Sequence, residues 1–235
     1  MALLTALDIL QRAADELGLD RPVSTAGGDA QARQLHAGLN ATGRDLMRVH
    51  EWGALQRTGS VTTLAGQSDY ALPADHHRLV SDTVWDDTSR ERLRGPHTPQ
   101  SEGHVRMGAR LGQQSFRQVG AILRIQPAPA TGGSVVSFTY VSKAWARTAT
   151  GVAREEMEGD TDTALFAPDL LVKGTKWRFM AAKGMYADAL RMEFESLRDR
   201  EIAADLGGTI LVLGGARNEE PFVGFDAVPD GDWSL

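Results

Sequence analysis

The sequence predicts an α+β fold in which a helical bundle is interrupted by an antiparallel β domain. Residues 1–52 carry apolar residues at helical spacing, and residues 53–150 contain short strand-like runs separated by Gly, Pro and Asp. A second helical pattern at 165–206 completes a discontinuous bundle. Residues 151–164 are then expected to form an acidic connecting loop, and residues 207–235 an extended C-terminal arm.

The composition excludes several classes of function. The chain of 235 residues has no cysteine, so disulfides, thiol catalysis and thiolate metal sites are excluded. Its 25 Lys and Arg against 31 Asp and Glu give a net charge of −6, which disfavours binding nucleic acid through overall charge. No apolar run approaches the length of a membrane span, and the N-terminal stretch lacks the basic leader of a signal peptide.

Two helices are expected before residue 53. Thr5 and Asp8 have the spacing of a capping box, and Gly18 can adopt the left-handed conformation that ends a helix. Asp29 can cap the second helix, which should end near Trp52. The apolar residues that share one face of this second helix are Leu35, Leu39, Leu46 and Val49.

The middle of the chain predicts strands at intervals typical of antiparallel sheets. In the run 134–142, Val136, Phe138 and Tyr140 alternate with polar residues, as in a strand buried on one side. The preceding run and this one are joined by a Pro/Gly-rich stretch, which predicts a hairpin. The strand candidates are 61–64, 69–72, 79–85, 105–111, 116–119, 121–126 and 134–142.

A single long helix is expected over residues 168–205, beginning at a proline that suits the first helical turn. Arg191 and Glu195 can pair one turn apart. Gly174 and Gly184 predict close approach of another helix. The stripe of small and apolar residues along this helix comprises Leu170, Leu171, Trp177, Ala181, Gly184, Ala187, Phe194 and Leu197.

The last residues combine a short apolar run, bracketed by glycine pairs, with bulky apolar residues spaced through polar ones. Such a segment usually needs a partner surface. We therefore expect the arm to contact another protein or another copy of the chain. Its apolar residues include Ile210, Val212, Phe222, Phe225 and Trp233.

The tripeptide Asp75-His76-His77 suggests a different function, a metal-dependent phosphoesterase. Consecutive strand residues point to opposite faces, so the two imidazoles could share a metal only in an irregular loop. The other histidines lack ligand spacing, and Glu155, Glu156 and Glu158 are expected to form a solvated cluster. We therefore interpret the tripeptide as a corner between strands and predict no enzyme, catalytic residue, metal or cofactor. A carbohydrate-binding β domain would need an aromatic platform, which 6% aromatic residues disfavour.

An ordered pattern runs along residues 3–205 and consists of a helical hairpin, a strand region, an acidic loop and a late helix. Its elements are Trp52, Leu64-Ala-Gly66, Tyr70-Ala-Leu-Pro73, Leu123-Arg-Ile-Gln-Pro-Ala-Pro129, Val136-Ser-Phe-Thr-Tyr140, Leu170-Leu-Val-Lys-Gly174, Gly184 and Glu193-Phe-Glu195. This order resembles the head-to-tail adaptors of short-tailed bacteriophages, also called tail tubular protein A.

The resemblance implies a structural virion protein rather than an enzyme. Adaptors of this kind form a dodecameric ring beneath the portal, continue the DNA channel and present a platform for the tail nozzle. The implied partners are other copies of the chain, the portal protein and the nozzle protein, with genomic DNA passing through without sequence-specific contact. The resemblance implies no membrane partner. The implied location is the head-tail interface of the virion, with assembly in the host cytoplasm.

The resemblance also implies two groups of contact residues. The late helix and the arm are expected to contact the portal or a neighbouring subunit through Trp177, Met185, Phe194, Ile210, Val212, Phe222, Phe225 and Trp233. The β domain is expected to face the tail through Tyr70, Leu72, Pro73, His76 and His77.

Overall fold

The two N-terminal helices are α1 (Ala6–Leu17) and α2 (Ala30–Val49). The structure, a computed structural model, describes residues 4–26, 29–100 and 114–205. The predicted capping box is confirmed, because the Thr5 hydroxyl accepts from the Asp8 amide and the Asp8 carboxylate accepts from the Thr5 amide. Gly18 ends α1 in the left-handed conformation, and Asp29 caps α2.

The late helical region contains two helices, α3 (Pro168–Ala182) and α4 (Asp188–Asp205), so the prediction of one long helix is wrong. Gly184 has φ +70°, and an added Cβ there would meet nothing within 4 Å. It therefore turns the chain rather than admitting a neighbouring helix. Gly174 does mark a close approach, since a Cβ there would lie 2.2 Å from Cγ2 of Thr42 on α2.

Helix α3 lies at the centre of the bundle and contacts α1, α2 and α4. Leu170, Leu171 and Val172 of α3 are buried in the bundle core. The same core includes Trp145, a fully buried residue near the end of the segment predicted as the β domain. Of the α2 residues predicted to share the buried face, Val49 is instead half exposed.

The β domain of the described residues follows a short 3₁₀ turn (Gly53–Leu55) and contains two sheets. In one, β8 pairs with β1 on one side and with β3 and β4 on the other, and β5 pairs with β4. In the second, β7 lies between β2 and β6. The strands are β1 (Gln56–Thr62), β2 (Asp69–Ala71), β3 (His76–Leu79), β4 (Trp85–Asp86), β5 (Glu91–Arg92), β6 (Ser115–Val119), β7 (Ile122–Gln126) and β8 (Val135–Ser142).

The predicted hairpin between β7 and β8 is wrong, because these strands belong to different sheets. The connecting loop pairs instead with the chain after β1: Gly133 donates to the Thr63 carbonyl and Gly66 donates to the Pro129 carbonyl. The predicted strand 79–85 is divided by a turn between β3 and β4. The candidate strand 105–111 lies outside the described residues.

The segment predicted as an acidic loop is partly β structure and docks on the bundle. Strands β10 (Ala153–Arg154) and β11 (Thr163–Ala164) flank β9 (Ala146–Arg147) in a three-stranded sheet. Met157 is fully buried, with its amide donating to the Asn40 side chain. Glu156 and Glu158 form ion pairs with Arg44 and Arg154, so the expected solvated cluster is tied to the protein.

Candidate assembly surfaces

The turn between α3 and α4 carries large apolar side chains that face solvent. Tyr186 is 80% exposed and Met185 is 55% exposed. Met192, one turn into α4, is 65% exposed. Both helices end or begin here because Gly184 reverses the chain, which leaves these side chains without a packing partner in the bundle. We refer to Met185, Tyr186 and Met192 as the helical tip.

A cleft of about 340 Å³ lies along the bundle where α2, α3 and α4 meet. Its apolar lining includes Val49 and Trp177, and its rim carries ion pairs between Arg178 and Asp45 and between Arg191 and Glu195. The Arg178 guanidinium also lies over the Trp177 ring, 4.5 Å from the ring centre. The Arg191–Glu195 pair was predicted from the sequence and is confirmed at 2.9 Å.

The corner at Asp75 is held by hydrogen bonds to β8. The two carboxylate oxygens accept from the Tyr140 hydroxyl at 3.0 Å and the Ser142 hydroxyl at 2.7 Å. The Asp75 carbonyl accepts from the Lys143 amide at 2.7 Å. Both oxygens of this carboxylate are therefore engaged within the chain, in a role that fixes the turn before β3.

The two imidazoles of this corner have different surroundings. His76 is buried and packs beside the Tyr140 ring, whereas His77 is partly exposed. Burial lowers the pKa of His76 below its ordinary value, and the nearby His77 and Lys143 lower it further. In the described part of the chain, no three His, Asp or Glu side chains are grouped so as to hold a metal. The corner does not fit the ligand set of a hydrolytic metal centre.

Comparison with known families assigns the chain to a protein family. A family model described as SU10 adaptor protein matches residues 4–213, which include the bundle and the β domain. The chain belongs to the SU10 adaptor protein family. The match confirms the resemblance to phage head-to-tail adaptors and gives the protein a structural role in the virion. A search of curated proteins finds no match.

The adaptor places the residues predicted for the portal or inter-subunit interface in different environments. Met185 is exposed at the helical tip, and Trp177 lines the cleft. Phe194 is buried against Trp177, so it supports the cleft from within the bundle. The other predicted interface residues, Ile210, Val212, Phe222, Phe225 and Trp233, lie outside the described residues.

The residues predicted to face the tail are mostly interior in this adaptor. Tyr70, Leu72 and His76 are buried, and the Tyr70 hydroxyl donates to the Gln67 carbonyl at 2.8 Å. Pro73 and His77 are partly exposed. The three buried side chains therefore shape the β domain rather than forming its surface. That this domain faces the tail stays a prediction.

Sequence reasoning missed several exposed apolar residues of the adaptor. Tyr186 and Met192 follow a glycine that ends a helix, and this local signal could have marked them as a solvent-facing tip. In the β domain, Trp85 and Leu64 are also exposed, and no sequence signal distinguishes them from core residues. No helix among the described residues combines the length and hydropathy needed to cross a membrane.

Proposed function

We propose that this adaptor forms a dodecameric ring between the portal and the tail nozzle and extends the DNA channel of a short-tailed phage. Membership of the SU10 adaptor protein family supports a structural role at the junction of head and tail. Beyond that role, we propose the ring itself, its dodecameric stoichiometry, and the portal and nozzle proteins as its neighbours.

The observation that carries the proposal is the helical tip. Tyr186 and Met185 lie exposed at the end of the α3–α4 hairpin, where exposure costs roughly 25 cal/mol for each Å² of apolar surface left in water. Clustered apolar side chains at the end of a packed bundle are typical of surfaces that are covered by another protein. We assign the tip to contact with the portal or with an adjacent copy.

The arm and the β domain complete the proposed contacts. The apolar residues of the arm, including Phe222, Phe225 and Trp233, are proposed to contact the portal or a neighbouring copy. The β domain is proposed to face the nozzle through the partly exposed corner at Pro73 and His77. Two ends of one subunit would then serve two partners.

The charge of the adaptor suits a conduit for DNA. Duplex DNA carries one negative charge per about 1.7 Å of its axis, so a strongly basic wall would hold it by releasing counterions. The net charge of −6 favours a wall that does not grip the passing duplex. A ring structure with a strongly basic lumen would contradict this part of the proposal.

The test is ring formation by a double variant of the tip, Met185→Ser with Tyr186→Ser. Both side chains face solvent in the free subunit, so the variant should keep the wild-type Tm. Ring formation, measured by mass photometry with and without the portal protein of the same phage, should weaken at least tenfold. Val23→Ser is the matched control, since Val23 is 91% exposed but lies between α1 and α2. Unchanged assembly of the tip variant would refute the assignment.

A further inference from the structure

Strand β1 forms an open edge of the larger sheet. It pairs with β8 along its whole length, from Gln56 opposite Val141 to Thr62 opposite Val135. No strand of the described residues pairs with its other side. A seven-residue edge is long enough to template pairing with another segment, and proteins usually cover or blunt such an edge.

The hydrogen bonds around β8 show which backbone groups of β1 are unpaired. Thr63 donates to the Ser134 carbonyl and accepts from the Gly133 amide, so its N–H and C=O point toward β8. Because direction alternates along a strand, Thr58, Ser60 and Thr62 point away from β8. The partners opposite them agree, since the carbonyls of Thr139 and Val135 accept from Val80 and Asp87 on the far side of β8.

Three N–H and three C=O groups therefore line the open edge, and no residue in the described ranges bonds to them. The side chains of Thr58, Ser60 and Thr62 are exposed and small, and leave room for an approaching backbone. On the opposite face of the strand, Val61 packs against the β-domain core. A strand added at this edge would extend that apolar face.

The last described residue, Asp205, lies close to the start of this edge strand. The Asp205 carboxylate at the end of α4 accepts from the Gly53 amide at 2.9 Å, three residues before β1 begins. The run Thr209-Ile-Leu-Val-Leu213 follows after only three residues and is rich in strand-forming side chains. Side chains alternate along a strand, so a strand formed by this run with Ile210 and Val212 beside Val61 would carry Leu211 on the same face as Ser60.

Chain length decides the direction in which this run could pair with its own β1. From residue 205 to residue 209 the chain spans at most about 14 Å, whereas β1 is about 20 Å long. The run can therefore reach only the near end of its own β1 and would have to lie parallel to it. Every pairing between the named strands is antiparallel. Parallel pairing is slightly less stable per residue.

We propose that the open edge of β1 binds residues 209–213 of a second copy of the chain as an added antiparallel strand. The contact rests on the proposed ring, and it is heterologous, with the arm of one copy on the edge of the next. Repeated around an axis, such a contact closes a ring when the rotation between copies is a whole fraction of a turn. Main-chain hydrogen bonds supply the affinity, and the alternating apolar side chains set the register.

Engineered cysteines test the pairing cleanly, because the natural chain has none. Full-length Ser60→Cys and full-length Leu211→Cys, carrying different tags, are mixed under conditions in which the wild type forms rings and are then oxidised. We expect a disulfide-linked heterodimer. Ser81→Cys, an exposed serine in the turn after β3, is the matched control and should give at least tenfold less cross-linked product with Leu211→Cys.

The outcomes separate this inference from the proposed ring. Rings without the Ser60–Leu211 cross-link would overturn the edge contact and leave the ring in place. An intrachain disulfide in the double variant, with no interchain product, would show that the arm closes on its own β1 and would also overturn it. Failure of the wild type to form rings with the portal protein would refute both proposals.

Amide exchange of the unmodified wild type provides a second readout that does not depend on any variant folding. The amides of Thr58, Ser60 and Thr62 should exchange at least tenfold more slowly in the ring than in the free subunit. The amides of Gly59 and Val61, which face β8, should be protected in both states and serve as internal controls. Equal exchange of the three outward amides in both states would contradict the proposal.

Discussion

The helical bundle and the β domain use different means to hold their shape. In the bundle, α3 contacts three other helices, and glycines at positions 43 and 174 let side chains of neighbouring elements approach closely. The β domain has a smaller core and a sheet whose edge strand is open. The bundle is therefore held by close packing of its helices, whereas the larger sheet of the β domain leaves one side of β1 without a partner strand among the described residues.

One strand connects the two regions. The residues Val136, Phe138 and Tyr140 of β8 belong to the β-domain core, whereas Val141 at its end and Trp145 just beyond it belong to the bundle core. A displacement of β8 would therefore be transmitted to both cores. Because of this continuity, we expect the two regions to unfold together despite their separate cores.

The largest effect should come from Trp145→Ala, which removes the buried anchor between the two regions. Truncating a buried aromatic residue costs about 3–5 kcal/mol. We expect a loss of this size in urea unfolding, with helical and aromatic signals changing in one transition. Trp85→Ala, at an exposed tryptophan of the β domain, should cost far less. Separate unfolding transitions for the two regions of the wild type would show that β8 does not couple them.

A smaller effect should distinguish two glycines of α2. A Cβ at Gly43 would lie 2.3 Å from the Trp145 indole, whereas one at Gly38 meets its nearest atom at 3.6 Å. Gly43→Ala should therefore destabilise the protein by about 1–3 kcal/mol through overpacking. Gly38→Ala should stabilise it by up to about 1 kcal/mol through helix propensity. Equal effects in thermal unfolding would mean that the bundle is not closely packed at Gly43.

The smallest expected effect is a difference between the two regions in how their stability depends on pH. The pKa of buried His76 is lowered, so the unfolded chain binds a proton more readily than the folded chain. Stability is therefore full above the ordinary histidine pKa of 6.5 and falls as the pH drops below it. At the bundle, hydrogen bonds from Thr25 lower the pKa of Asp160, so its contribution is lost only below about 3.8.

The measurement is the unfolding free energy of the wild type and of His76→Gln between pH 7 and pH 5. The wild type should lose stability across this range, and the variant should lose less because its side chain stays neutral. His36→Gln is the matched control, since His36 contacts the Met157 carbonyl in the bundle. Identical pH profiles for the wild type and His76→Gln would contradict the assigned role of burial at the corner.

Local signals were sufficient for the helix ends of the bundle. The capping box at Thr5 and the cap at Asp29 depend only on neighbouring residues, and both were predicted. Gly184 was misinterpreted because the apolar periodicity continues through it, and only the backbone shows that it takes the left-handed conformation. A glycine in a helical pattern can admit a neighbour or end the helix, and the sequence does not distinguish the two.

Partner choice in the sheets could not be predicted, because it depends on distant residues. The runs that became β7 and β8 are adjacent in sequence, yet each finds its partners elsewhere. For the same reason, the mostly polar sequence of β1 does not show that one side of the strand lacks a partner in the described part of the chain. Of the candidate site residues, Met185 lies at the surface, whereas Tyr70 and Leu72 are interior. Strand alternation predicts that a residue faces one side, but not which side is covered.

The most direct test of the central claim is electron microscopy of the full-length adaptor mixed with the portal protein of the same phage. The account predicts a closed ring of adaptor copies on the portal, with the helical tip in an interface and the channel continuous through the ring. Adaptor that stays monomeric beside an undecorated portal, at concentrations where both are folded, would contradict it.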